Sequence, residues 1–311
     1  MKTLVTGATG LIGQALLARL QQDGYQTIAA VRANPTSNQT LVGEINAQTD
    51  WSQALSNCDV VVHTAARVHQ MPDAAADSLA EFRRINTAGT LNLACQAAAA
   101  NVKRLVFIST IKVNGEFSEV GQIFTADDVP APADPYGVSK HEAEQLLRKV
   151  AAETGMEVVI IRSPLVYGPG VKANFESMMR WLVRGVPLPL AAVTNNRRSL
   201  VALGNLIDLI MTGLHHPAAA NETFLVSDGE DLSTADLLKR MGAALGQPAR
   251  LFYVPTVLLK LGATVINKPG IYQRLCGSLQ LDIAKTRQLL GWVPPLSVDE
   301  GLRRAAEEFC S

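Results

Sequence analysis

Short, continuously apolar runs separated by helical patterns mark the first half of the chain. Leu4-Val5-Thr6, Thr27 to Val31, Asp59 to His63, Leu105 to Ile108 and Val158 to Ile161 all lack the apolar–polar alternation of a half-exposed sheet. Such runs are expected of parallel strands covered on both faces by helices. Between them lie helical stretches, first Leu11 to Leu20 and later one opening near Tyr136. Repetition of strand and helix implies right-handed crossovers and a doubly wound α/β sheet. After Pro164 the alternation lapses, and a smaller C-terminal α/β lobe is expected over 165–311 beside the main sheet domain of 1–164. Leu200 to Leu203 and Thr223 to Val226 are expected to return to the main sheet, so segments near 199–227 join the two parts. There is no internal repeat, and the alanines at 97–100 read as the end of a long helix.

Composition narrows the classes. A chain of 311 residues with 48% hydrophobic and 18% charged content can bury a real core, which excludes disorder. Its 28 basic and 28 acidic residues cancel, so there is no bulk footprint for nucleic acid, and an anionic membrane surface is disfavoured. A local patch for an anionic ligand stays open. Cys58, Cys95, Cys276 and Cys310 show no metal-ligand spacing, and a reduced, cytoplasmic protein without a metal is expected. The opening Met1 to Gly7 reaches its glycines too early for a secretory segment, and no apolar run is long enough to span a membrane. The nearest, Val254 to Ile266, is broken by Pro255, Lys260 and Gly262, and reads as an amphipathic helix packed on the protein or as a surface for a membrane or partner.

Gly7-Ala8-Thr9-Gly10-Leu11-Ile12-Gly13 directly follows the first strand and opens the first helix. Glycines there allow a tight turn and close approach of a pyrophosphate, and the helix N-terminus offers N–H groups and partial positive charge. Gly7, Gly10, Leu11, Ile12 and Gly13 are therefore expected to bind a dinucleotide. At the end of the second strand, Val31-Arg32-Ala33-Asn34 carries no acid for the adenosine ribose. Arg32 suits a 2′-phosphate and points to NADP, with NAD as the alternative if Arg32 only stacks on adenine or faces solvent.

Tyr136-Gly137-Val138-Ser139-Lys140 places a phenol and an ammonium one helical turn apart on one face, after the helix start Asp134-Pro135. The ammonium is expected to lower the tyrosine pKa, letting Tyr136 exchange a proton with a hydroxyl or carbonyl as hydride moves. Ser109-Thr110 ends a strand one helix-loop earlier, where its hydroxyls would face the ligand crevice or simply cap a turn.

The chain resembles the extended short-chain dehydrogenase/reductases of the nucleotide-sugar epimerase/dehydratase group. The resemblance rests on GATGLIG at 7–13, DVVVHTAA at 59–66, Asn86 with Gly89-Thr90, Ser109-Thr110, YGVSK at 136–140, RSPLVYGPG at 162–170, RRSLV at 197–201 and the late Asp282 to Lys285 and Leu290 to Trp292. It implies a Rossmann domain and Thr110, Tyr136 and Lys140 as the catalytic triad, with Lys140 also on the nicotinamide ribose. Thr64, Ala65, Ala66, Asn86 and Ser109 would line the cofactor, with Glu44 and Ile45 near adenine and Pro164 and Val166 beside the nicotinamide. Asn174, Arg198 and Arg274 would grip the substrate's nucleotide diphosphate, and a homodimer through the helices at Asn86 and Tyr136 is implied.

Departures from that group narrow the chemistry. The acid pair used for dehydration after the threonine is replaced by Ile111-Lys112, which disfavours elimination of water. Asn114 stands for an aromatic and Leu165 for an asparagine, which alters the expected sugar contacts. Arg67 and Lys112 either read the sugar or pyrophosphate or make surface ion pairs. Ile111 to Gly115, Leu188-Pro189-Leu190 and Arg197 to Leu200 resemble a bacterial surface-polysaccharide branch whose members include reductases of UDP-4-keto-6-deoxy-N-acetylhexosamine, which give UDP-N-acetylquinovosamine, and Arg32 with the altered contacts favours such a reductase. A UDP-glucose or UDP-GlcNAc 4-epimerase is the alternative, and a non-catalytic dinucleotide-binding module the competing class.

Overall fold

The computed structural model describes residues 1–36, 39–68, 78–119, 121–265 and 269–310. In chain order the elements are β1 (Lys2–Thr6), α1 (Leu11–Gln22), β2 (Gln26–Val31), β3 (Gln39–Leu41), α2 (Ser52–Leu55), β4 (Val60–His63), α3 (Ser78–Phe82), a π-helical turn over Arg83–Gly89, α4 (Thr90–Ala99), β5 (Arg104–Thr110) and α5 (Pro135–Thr154). There follow β6 (Glu157–Ser163), β7 (Leu165–Tyr167), α6 (Ala173–Val183), β8 (Arg198–Ala202), α7 (Leu203–His215), β9 (Thr223–Leu225), β10 (Asp231–Leu232), α8 (Thr234–Ala244), α9 (Thr256–Val265), α10 (Pro269–Cys276), α11 (Ala284–Leu290) and α12 (Val298–Cys310).

Seven parallel strands form the main sheet in the order β3-β2-β1-β4-β5-β6-β9. The order reverses between β1 and β4, and the crevice for a ligand opens there, at the strands' C-terminal ends. The apolar runs are explained by two cores. Val5, Val62, Val106, Ile108 and Ile161 pack towards Leu16, Leu20, Leu206 and Ile210 of α1 and α7. Their strand neighbours Leu4, Val61, Leu105, Phe107 and Ile160 pack towards Leu93, Ala97, Leu147 and Val150 of α4 and α5. Side chains alternate across a strand, so burial on both faces requires apolar residues at every position.

The C-terminal lobe has its own core, with Tyr167, Phe175, Met179, Leu200, Leu238, Met241 and Leu302. It is built on a three-stranded sheet β10-β8-β7. This corrects one expectation. The strand at Leu200 does not return to the main sheet but pairs in parallel with β7, whereas Phe224 does return, in β9 beside β6. The reason lies in β7: immediately after Pro164 the chain turns out of the main sheet and offers its edge to β8. Among the described residues no helix is long and apolar enough to cross a membrane, and no cluster of side chains could hold a metal.

Candidate active site

The glycine loop is shaped by close approach. Gly7 has a φ of +67°, and a Cβ there would lie 2.7 Å from the Ala65 backbone nitrogen. At Gly13 a Cβ would lie 2.2 Å from the Gly7 carbonyl oxygen. Side chains are thus excluded where the β1 loop, the β4 loop and the start of α1 meet. Gly10 occupies the N-cap of α1 with no side-chain cap, so the helix end presents its N–H groups to the crevice. Thr64 donates to the Thr6 carbonyl at 2.7 Å and fixes the β4 loop, including Ala65 and Ala66, against this turn. These residues fit a pyrophosphate-bearing dinucleotide: a tight glycine turn leading into an uncapped helix N-terminus.

Arg32 is exposed at the end of β2 and forms no ion pair among the described residues. The pairing of Val31 with Leu41 carries the loop after β3 alongside it. Glu44 there is spent on Arg84 at 3.4 Å, and Ile45 packs against Gly89, where a Cβ would lie 2.7 Å from its Cγ2.

The sequence pattern gave no warning of His63, which is fully buried. Its Nδ1 lies 2.6 Å from the Thr6 hydroxyl and its Nε2 2.9 Å from that of Thr90. Thr90 donates to the Asn86 carbonyl, so it accepts from Nε2–H, and Thr6 donates to Nδ1. Burial, with Lys140 adding to it, pushes the ring's pKa down to about 3, so His63 is a neutral strut. Asn86 is held just as firmly. Its Oδ1 accepts from the Arg67 backbone N–H at 2.8 Å, and its Nδ2 donates to the Arg67 carbonyl and to Ser139. It therefore acts first by fixing the loop after β4 against α5.

Asp134 caps α5, accepting from the Gly137 N–H at 2.7 Å, with Pro135 at the first turn. This places Tyr136 in the helix's opening turn, half-buried, its ring 6.0 Å from that of Phe82. One turn on, Lys140 is buried. Its Nζ donates to the Ile108 carbonyl at 2.7 Å and lies 3.7 Å above the Phe107 ring. Thr110 is buried at the end of β5, its hydroxyl accepting from the Lys112 N–H at 3.3 Å. The expected lowering of the tyrosine pKa is not met by the chain alone. Its dense surroundings push Tyr136 up and Asp134 adds to this, while burial pulls Lys140 down to about 7 against the opposing field of Glu144.

Behind these groups lies a network the motifs did not disclose. Glu144, fully buried on α5, accepts from Ser109 at 2.6 Å and from Arg162 at 3.0 and 2.6 Å. Arg162 completes its donors on Asn114 at 2.9 Å, and Asn114 donates in turn to the Thr125 carbonyl. The Ser109 hydroxyl is given to Glu144, because alternation along β5 sends it to the α5 side. Asn114, standing where the group resembled has an aromatic, turns inward to Arg162. The signal was present in the helix repeat: residues 136, 140 and 144 share one face.

The cations expected at the substrate divide into two pairs. Arg67 is bound to Glu81 at 3.2 Å, and Lys112 bridges Asp134 and Glu116, so both serve ion pairs that brace the surrounding loops. Arg198 instead donates to the backbone carbonyls of Arg274 and Gly277, at 3.0 and 3.3 Å, and has no acid paired to it among the described residues. The Arg274 guanidinium, also without an acid partner there, lies back along its own helix beside Gly270. Burial lowers the pKa of Arg198. Asn174 is exposed in the first turn of α6, Pro164 is buried between β6 and β7, and Val166 is half-buried in β7.

A doubly wound parallel sheet with a glycine cradle and a Tyr-x-x-x-Lys helix over the end of β5 defines an enzyme of the dinucleotide-dependent short-chain dehydrogenase class. The profile of the NAD dependent epimerase/dehydratase family matches residues 3–227, and the chain belongs to that family. It is 48% identical over 310 residues to a UDP-glucose 4-epimerase of Vibrio cholerae, covering 98% of this chain and 94% of that one. Among solved structures, MoeE5 in complex with UDP-glucuronic acid and NAD superimposes with a TM-score of 0.79 at 25% identity, over 99% of this chain and 98% of that one. A UDP-N-acetylglucosamine 4-epimerase from Bacillus cereus shares the fold with a TM-score of 0.83 at 20% identity, each chain covered in full.

Proposed function

We propose that this enzyme is a UDP-sugar 4-epimerase that uses NAD. The observation that carries the reading is the 48% identity, along nearly the whole chain, to a UDP-glucose 4-epimerase. The preference for a 4-ketoreductase, drawn from the sequence alone, rested partly on altered sugar contacts. Asn114 is engaged with Arg162 inside the protein, which removes one of those reasons. When bound, NAD supplies reversible hydride transfer at the sugar carbon. The chain's part is then to hold the sugar. Tyr136 exchanges the hydroxyl proton, Thr110 shares the hydrogen bond to that oxygen, and Lys140 holds positive charge beneath them. Arg198, whose guanidinium has no acid partner among the described residues, suits a diphosphate.

Incubated with NAD and UDP-glucose or UDP-GlcNAc, the enzyme is expected to yield the C4 epimers with no net change at the nicotinamide absorbance band. Stoichiometric consumption of reduced nicotinamide with a 4-keto-6-deoxy UDP-sugar, and no epimerisation, would overturn the proposal in favour of the reductase.

Arg32 provides a separate check on the cofactor. Its exposed, unpaired side chain is expected to matter little for NAD, so Arg32→Ala changes the NAD dissociation constant by no more than about threefold. Tenfold tighter binding of NADPH than NADH, abolished by the same substitution, would instead assign Arg32 to a 2′-phosphate.

A further inference from the structure

The hairpin of α9 and α10 has apolar residues on both sides. Leu259 and Leu275 pack into the core of the C-terminal lobe, and Ala263 is buried. The segment before α9 is stitched to the lobe, with the Leu188 N–H on the Arg250 carbonyl and the Phe252 N–H on the Leu188 carbonyl. The hairpin is thus a fixed part of the lobe. Yet Val257, Leu258, Leu261 and Val265 fall within a narrow arc of α9 and are 67%, 56%, 57% and 84% exposed. Phe252 and Tyr253, in the segment just before α9, are also 48% and 72% exposed. A scattered exposed leucine is ordinary, whereas a continuous outward stripe of this kind marks a contact surface.

Charge selects the occupant. The neutral total of the chain conceals a local asymmetry: no aspartate or glutamate lies between Asp236 and Asp282. Arg250, Lys260 and Arg274 of the same segment form no ion pair among the described residues, with Arg250 lying beside Gly185 and Arg274 beside Gly270. A second copy docked symmetrically through this segment would set its cations against the same cations, with no acid of the segment itself to compensate. An anionic bilayer surface meets both features, because apolar side chains enter the acyl boundary while cations stay among the headgroups and aromatics sit between them. We propose that the α9–α10 hairpin docks the enzyme peripherally on anionic membranes. The Arg274 carbonyl accepts from Arg198, so the docking hairpin adjoins that guanidinium. The inference is independent of which sugar the enzyme takes.

The test is co-sedimentation of the full chain with vesicles of phosphatidylglycerol and phosphatidylethanolamine, against vesicles of phosphatidylcholine alone. Binding to the anionic vesicles only is expected, weakened severalfold at about 0.5 M salt. Leu258→Glu with Leu261→Glu is expected to reduce the bound fraction at least tenfold, with the melting temperature and turnover of soluble substrate unchanged. Failure of the wild-type chain to sediment with anionic vesicles at low salt would overturn the proposal, as would equal binding by the double variant. A dimer that dissociates in the double variant would reassign the face to contact between copies.

Discussion

Tyr136→Phe is expected to lower kcat about a thousandfold, within the range for losing a positioned proton carrier, while leaving cofactor affinity and melting temperature near those of the parent. The substitution removes one oxygen and keeps the ring, so its packing against Phe82 survives. The capping bond from Gly137 to Asp134 and the anchoring of Lys140 on the Ile108 carbonyl do not involve the phenol. The loss should therefore fall on kcat rather than on KM. Cofactor binding is read by quenching of protein fluorescence and stability by calorimetry. Turnover within threefold of the parent would show that Tyr136 does not carry the proton.

The fold was largely legible because its determinants are local. Five short apolar runs are what strands buried on both faces require, and glycines directly after the first of them suit a close approach more than an ordinary turn. The candidate site was legible where a side chain acts through its neighbours in sequence: Gly7 to Gly13, Tyr136 with Lys140, and Asp134 as the helix cap. It was illegible where a side chain is claimed from far along the chain. Asn114 lies 48 residues from Arg162, and Ser109 lies 35 from Glu144. No spacing rule joins such positions until the strands are aligned. Likewise Arg67 and Lys112 carry the same charge as Arg198 and Arg274, and only their surroundings show that the first two are neutralised by acids. The strand at Leu200 was misplaced for the same reason, since hydropathy marks a strand but not the edge it joins.

The buried pair of Glu144 and Arg162 offers the test that separates holding the fold from holding the site. Glu144→Gln removes a charge from a site where the acid and its arginine partner are 0% and 1% exposed, and leaves the guanidinium in the core without a counter-ion. Such a loss costs about 3–5 kcal/mol, which in a chain of this size corresponds to a fall in melting temperature of roughly 5–8 °C. Glu144 also opposes the burial that pulls Lys140 down to about 7, so its removal moves that midpoint lower still. Cationic Lys140 is the form that favours tyrosinate, and turnover lost as pH rises through that midpoint should then be lost at lower pH in the variant. Replacing both partners, as Glu144→Met with Arg162→Met, removes the unpaired charge along with the pair and is expected to restore most of the stability. It does not restore the field on Lys140 or the hold on Ser109 at the end of β5. A double variant that melts like the parent but keeps a depressed kcat and a shifted pH profile would show the network acting as a positioning device. Full recovery of both would confine it to stability.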